Sequence, residues 1–292
     1  MKKGADINRT KIPNDLMHYI YEHIDTPINL DTLSADFKIS KFHLHRLFKR
    51  EFGRNIYETI QSIRLQTAAN LLITNQKSTV SKIAAMTGYG SQTSFIRAFG
   101  KKFAMSPKAW RNGGYKSYSD GIVQTLPEGL TPDVTYRGLS PVIRKMPPIR
   151  VYYIRHTGYD DAIRACWQKL QAFTLGNAIQ DYSQIALYHD NPIITPLEAC
   201  HYVACIALNA PFDAGRVPFP SFEIHGGVYA EFTARGYRND IFKLMQWVYH
   251  EWLPASGYET TTRHTYLVYE ENSFLNETGF FAVKYYVPIV LP

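Results

Sequence analysis

The chain has 292 residues, 45% of them hydrophobic and 20% charged, which excludes a disordered chain and leaves room for two domains. Its formal net charge is +7, and the excess lies in the first 112 residues, which hold 18 of the 32 Lys and Arg but 8 of the 25 Asp and Glu. A polyanion is the expected partner of that stretch; a membrane is not, because no apolar run reaches spanning length and MKKGADINRTKIP lacks a signal-peptide core, so the cytoplasm is the expected compartment.

Residues 14–25 place Leu16, Tyr19, Ile20 and Ile24 at helical spacing, and Pro27 ends that helix. Residues 30–37 predict a short helix with Asp31 as its cap. Residues 40–48 read SKFHLHRLF, and residues 91–99, 51 positions later, read SQTSFIRAF. Both fit Ser-x-x-x-apolar-x-Arg-x-Phe. Each serine suits an N-cap, and each apolar residue stacks with its Phe one turn on. The same buried skeleton therefore carries two different outer faces. Between the copies, residues 55–72 predict a helix about 27 Å long at about 1.5 Å per residue. Residues 79–91 repeat the short helix and turn, with Gly88 and Gly90 supplying the turn, and Ser106-Pro107 opens a last helix. These pieces predict an all-α module of two helix-turn-helix units on one rod. Successive major grooves on one face of DNA lie about 34 Å apart, so one chain can read two of them without dimerising.

The run Leu33, Ser40, Leu44, Arg46, Phe48, Gly53, Arg64, Ala68, Leu72, Ile83-Ala84, Gly88-Tyr89, Ser91, Phe95, Arg97, Phe99 and Ser106-Pro107 resembles the AraC/XylS family of transcriptional regulators. The N-terminal placement of the module resembles the MarA–SoxS–Rob branch, Rob-like in having a second domain behind it. The resemblance implies base contacts from Phe42, His45 and Arg46 in the first reader and from Gln92, Thr93, Ile96 and Arg97 in the second. Relatives usually carry Trp and Gln where this chain has Phe42 and His45, which bears on the target sequence and not on the binding mode. It also implies contact with RNA polymerase.

Side-chain chemistry agrees. Arg46 and Arg97 can pair bidentately with guanine and Gln92 with adenine, and Phe42 and Ile96 can touch thymine methyls. Lys41, Lys49, Arg50, Lys101 and Lys102 suit phosphates. The alternatives are that either arginine partners a neighbouring carboxylate and that Phe42 belongs to the core.

Residues 113–121 read as a linker by composition, giving expected domains of 1–112 and 122–292. Beyond it the pattern becomes α+β: strands over 149–158, 182–190, 201–208, 223–236, 263–271 and 280–289, and helices over 160–175 and 239–253. HTGYDDAIRACWQKL (156–170) aligns with ARGYRNDIFKLMQWV (234–248), so two pseudo-repeated halves are expected to share one twisted sheet, with both helices on one face and a groove at their junction. The Gly-Tyr after each strand, WLPASGYE (252–259), VYEEN (268–272) and VPI (287–289) resemble the GyrI-like (SOAR-type) effector-binding domain. That resemblance implies a small cationic or amphipathic ligand in an aromatic groove. Trp167, Tyr202, Tyr229, Tyr266 and Tyr269 are the expected lining. Leu267 stands where many such domains carry a glutamate, which favours a neutral ligand or none; Glu231, Glu223 and Glu198 are the possible substitutes.

The expected function is a DNA-binding regulator, an activator by resemblance, that reads two adjacent major grooves as a monomer through its two helix-turn-helix units and carries a C-terminal sensing domain for a small hydrophobic or amphipathic effector. The alternative for that domain is a protein-contact or stabilising module. A hydrolase is the weaker alternative, because the chain has no Gly-x-Ser-x-Gly and no metal motif. No cofactor or metal is expected, and Cys166, Cys200 and Cys205 are expected to be buried thiols.

Overall fold

The computed structural model describes residues 2–125, 131 and 134–292, and for residues 2–10 the backbone alone. Two compact units divide the chain: Met1–Ala68 with Thr79–Pro107, and Ala69–Ser78 with Lys108–Pro292.

The first unit is helical. It contains α1 (Lys2–Glu22), α2 (Leu30–Asp36), α3 (Lys41–Phe52), the N-terminal part of α4 (Ile56–Thr74), α5 (Val80–Met86) and α6 (Gln92–Phe103). Its core joins Leu16, Met17, Ile20 and Ile24 of the α1 region to Leu44 and Phe48 of α3 and Ile56, Ile60 and Ile63 of α4. These are the periodic positions of each segment, so the burial follows from the 3.6-residue repeat. Helix α1 starts twelve residues before the stripe at Asn14, a polar stretch without the apolar signal. The cap of α2 is Asn29, whose side chain accepts from the Asp31 amide at 2.8 Å, rather than Asp31 itself. Asparagine one residue earlier holds the extended backbone that a cap needs, which leaves Asp31 inside the first turn.

Arg64 locks the unit together. Its Nε donates to the Ile24 carbonyl (3.1 Å) and its Nη2 to the Thr26 carbonyl (2.6 Å). Gly88, at φ +75°, passes directly over that guanidinium.

The second unit opens with the C-terminal end of α4. Then come α7 (Pro107–Ala109), a widened helical turn (Trp110–Gly114) and α8 (Tyr115–Val123). Residues expected as a linker are thus mostly helix. Trp110 is fully buried, donates Nε1–H to the Ala69 carbonyl (3.0 Å) and meets the Tyr118 ring at 5.2 Å. Aromatic burial overrides the flexible composition there.

The remainder is one antiparallel sheet with helices. Its elements are β1 (Val142–Met146), β2 (Ile149–Thr157), α9 (Ile163–Gly176), β3 (Tyr182–Tyr188), β4 (His201–Leu208), β5 (Ser221–Ile224), β6 (Gly227–Tyr237), α10 (Asp240–Trp247), α11 (Leu253–Ala255), β7 (Glu259–Thr260), β8 (Tyr266–Glu271) and β9 (Phe280–Val290). The strand order is β1-β6-β9-β8-β3-β4-β2-β5, with β7 on the end of β9. Only two residues separate β1 from β2, and two separate β5 from β6, yet each pair joins opposite ends of that order. The sheet must therefore curl until its ends meet. At the meeting point a Cβ on Gly226 would lie 2.8 Å from the Met146 carbonyl and 2.9 Å from the Pro148 nitrogen, so only glycine fits. Strands β1 and β7 had no periodic signal of their own; each is five residues or fewer and is recruited by a longer neighbour, while the single strand expected over 223–236 is broken at His225-Gly226 into β5 and β6.

Register assigns the faces. Phe232, Tyr285, Leu267, Ala186 and Ala204 form one cross-strand row, and Glu231, Tyr286, Tyr266, Leu187 and Val203 the row behind it. Trp167 of α9 packs on Tyr269, and Trp247 of α10 on Phe232. Both helices therefore cover the face that carries Leu267, as the internal repeat predicted. The three cysteines are buried and free. No helix is long and apolar enough to cross a membrane among the described residues.

His250 reports on the packing of this unit. Burial against the Tyr115 ring (4.7 Å) and, secondarily, the charge of Lys116 push its imidazole down to about 4 from 6.5. Between those values the unfolded chain holds a proton that the folded chain refuses. The His250 contribution is thus at its full value above about pH 6.5 and is lost as the pH falls toward 4, a difference of about 3 kcal/mol. Urea unfolding across that range should show His250→Phe with a correspondingly weaker acid dependence than the parent.

Candidate nucleic-acid interface and effector groove

Helices α3 and α6 are built alike. Ser40 Oγ accepts from the His43 amide (3.3 Å) and Ser91 Oγ from the Ser94 amide (3.2 Å). Leu44, Leu47 and Phe48 bury one helix, and Phe95, Phe99 and Phe103 the other. The first, second, fifth and sixth residues then share the outward face: Lys41, Phe42, His45 and Arg46, and Gln92, Thr93, Ile96 and Arg97. All are exposed except His45, which is half-buried. Phe42 is 90% exposed and Ile96 40%, which excludes Phe42 from the core. Large apolar groups this open, beside free amides and a positive helix end, are unfavourable unless something covers them. Arg46 and Arg97 are both exposed, and no carboxylate pairs with either among the described residues. Lys49 is exposed in the last turn of α3. Lys41 is ion-paired with Asp31, a contact between two exposed groups worth under about 1 kcal/mol and readily exchanged for a phosphate. Lys102 serves the fold: its ammonium donates to the Ser62 carbonyl (3.1 Å) and hydroxyl (2.9 Å), fastening α6 to α4. Tyr57, exposed at the start of α4, lies with its ring 5.8 Å from that of His45. It extends the exposed surface of α3, and no motif marked it.

The six residues expected to line a pocket fall into two groups. Trp167, Tyr202, Leu267 and Tyr269 share the helix-covered face. Trp167 Nε1–H donates to the Tyr202 hydroxyl (3.0 Å), which lies 3.3 Å from the Tyr269 hydroxyl. Tyr229 and Tyr266 lie on the opposite face, with ring centroids 5.4 Å apart and Tyr266 stacked on Tyr286 at 4.7 Å. Leu267 is fully buried. Of its possible substitutes, Glu231 is buried on the other face and bound to Arg144 (2.6 Å), while Glu223 and Glu198 are exposed. None of these three replaces the carboxylate missing beside Leu267.

Around the first group lie further aromatics, among them Tyr159 of the first Gly-Tyr motif. Tyr159, Tyr188, Phe242 and Phe274 complete an aromatic nest with Tyr202: Tyr159 is 5.9 Å from Tyr188 and 4.7 Å from Phe242, and Tyr202 is 5.7 Å from Phe274. Burial raises the phenols of Tyr159, Tyr188 and Tyr202, and raises Tyr269 to about 12, so all stay neutral donors at physiological pH. A cation stands over the nest: the Arg238 guanidinium lies 5.0 Å from the Phe274 ring and pairs with Asp161. No group of three or more His, Cys, Asp or Glu could hold a metal among the described residues.

Residues 33–113 match a helix-turn-helix domain and residues 139–290 the GyrI-like small molecule binding domain. Regulatory protein SoxS of Escherichia coli K12 is 34% identical over 106 residues, 36% of this chain and 98% of SoxS. The Right origin-binding protein of the same strain is 34% identical over 105 residues, 36% of this chain and 36% of its own length. Among solved structures, the C-terminal domain of AraT from Geobacillus stearothermophilus is 23% identical, covering 44% of this chain and 93% of that one, with a TM-score of 0.34.

Proposed function

We propose that this chain, which belongs to the AraC-type transcriptional regulators and carries a GyrI-like small-molecule-binding domain, reads two adjacent major grooves as a monomer and activates transcription under the control of an effector. The observation that carries the reading is the pair of serine-capped helices with one buried skeleton, whose exposed faces differ while an unpaired arginine stands at the same position in each. Identical packing with different outer residues suits one asymmetric site better than a palindrome. Helix α4, 19 residues and about 28 Å long at about 1.5 Å per residue, suits the groove repeat. Polymerase contact, a cytoplasmic setting and a domain division at residues 112 and 122 belong to the same proposal.

Fluorescence anisotropy with a selected target and a scrambled duplex tests it. Arg46→Ala and Arg97→Ala are each expected to lose about 1–3 kcal/mol of discrimination between the duplexes while retaining salt-sensitive binding to both. Equal preference in parent and both variants would remove the arginines from base readout. A complex of two chains per target in sedimentation would overturn the monomeric reading.

The GyrI-like region is proposed as a sensor because two pseudo-repeats enclose an aromatic nest. The full burial of Leu267 favours a ligand without a cationic head.

A further inference from the structure

The groove between the two repeats is not empty. Its centre is taken by Phe274, a fully buried side chain carried by the short connection between β8 and β9. The Phe274 ring sits edge-on to Tyr202 (5.7 Å) and Tyr159 (6.1 Å), with the Arg238 guanidinium 5.0 Å from its centroid. The connection is fastened to its surroundings by side-chain and backbone bonds. Arg164 of α9 donates Nε–H to the Phe274 carbonyl (2.8 Å) and an Nη2 proton to the Asn276 carbonyl (3.1 Å). The Arg238 amide donates to the Gly279 carbonyl (2.9 Å), and Asn272 Nδ2 to Gln184 (2.8 Å). An open cavity of about 460 Å³ runs along the same connection, lined by Asn272, Leu275 and Asn276, and shares Tyr269 with the nest. The connection also carries bonds of its own, from the Phe274 amide to Asn272 Oδ1 (3.0 Å) and from Asn276 Nδ2 to the Phe280 carbonyl (2.7 Å), and open volume lies alongside it.

We propose that Phe274 is an internal occupant of the effector site, and that the effector is an uncharged aromatic molecule whose ring takes the place of the Phe274 ring among Tyr159, Tyr202 and Tyr269. This rests on the sensing role proposed above and specifies its ligand. A neutral ring preserves what Phe274 supplies: edge contacts with the phenols and a face toward Arg238. A cation would enter a low-dielectric nest beside Arg238, with Leu267 where a counter-charge would have to stand. An anion would have to take Arg238 from Asp161, its present partner. The arginine at residue 164 then sets the strength of the latch, because its two bonds are made only while Phe274 is seated. Loosening it raises the population of the open site and so the apparent affinity.

The test uses the full chain with three ligands of one ring size: benzyl alcohol, benzylammonium and benzoate, followed by calorimetric titration and thermal unfolding. Phe274→Ala should bind benzyl alcohol at least ten-fold more tightly than the parent and at least ten-fold more tightly than it binds either ion. Arg164→Gln should lower the unfolding midpoint without ligand and yet bind benzyl alcohol more tightly than the parent, which a merely structural arginine would not do. Phe274→Leu, which opens a smaller space, carries the same expected order if the alanine variant does not fold. Tighter binding of benzylammonium would move the ligand to the carboxylates of Glu270 and Glu271 in the open cavity; the class would be wrong and sensing would stand. Failure of folded Phe274→Ala to bind any of the three would make the nest ordinary core and overturn the proposal. Sensing itself would fall only if the parent also showed no saturable midpoint shift with a wider panel of amphiphiles.

Discussion

Replacing Gly88 with alanine is expected to cost about 3 kcal/mol or more and to abolish specific DNA binding. The residue sits at φ +75°, where a side chain alone costs about 1–2 kcal/mol. The larger cost is steric. A Cβ there would lie 2.5 Å from the Ile24 carbonyl oxygen and 2.6 Å from Arg64 Nη2. Neither neighbour can retreat cheaply. Ile24 ends the α1 region and buries its side chain in the core, and Arg64 is spent on the Ile24 and Thr26 carbonyls. Relief would have to come from the turn that carries Tyr89 into α6, so the second reader would shift relative to the first. The measurement is urea unfolding with anisotropy alongside. A variant as stable as the parent, with unchanged preference for the target duplex, would show that the turn relaxes and that the contact is dispensable.

Replacing Asn75 with leucine is expected to destabilise the second unit by about 3–5 kcal/mol. Asn75 follows the last residue of α4 and is 1% exposed. Its Nδ2 donates to the Thr260 carbonyl and its Oδ1 accepts from the Thr260 amide, both at 3.0 Å, so the side chain pairs with β7 as a neighbouring strand would. Ser78 donates to buried Glu259 at 2.8 Å, and Asn191 to Asn70 at 2.8 Å. Leucine would leave one buried amide and one buried carbonyl unpaired, each costing about 1–3 kcal/mol. The cost falls just beyond the C-terminal end of α4. Thermal unfolding of Asn75→Leu and Asn75→Asp should therefore show a large and a smaller loss, since Asp keeps the acceptor for the Thr260 amide. Equal losses would mean that the donor to the Thr260 carbonyl carries the whole effect.

The reader helices were legible because local rules produce them. A serine cap, a 3.6-residue stripe and a terminal glycine are short-range signals, and the same nine-residue pattern written twice declared both helices and their exposed faces. The α+β character and the placement of both helices on one face were legible for the same reason, through two aligned strand–Gly-Tyr–helix segments. The groove was not. Tyr229 and Tyr266 look equivalent to Tyr202 and Tyr269 in composition, but cross-strand register sends the two pairs to opposite faces, and register is set by partners far away in sequence. Phe274 lies in no motif, and Arg164 and Arg238, though inside the two aligned segments, do not occupy matching positions in them. They meet because the curl of the sheet brings the β8–β9 connection against α9, which no local pattern encodes. Gly88 was read correctly as a turn, but the reason that only glycine fits it is Arg64, 24 positions earlier. Asn75 was an unremarkable polar residue after a helix until β7, 185 positions later, became its partner. Periodicity and capping act within a turn or two and so survive in the linear chain; burial, register and the pairing of distant polar groups exist only after the backbone has closed on itself.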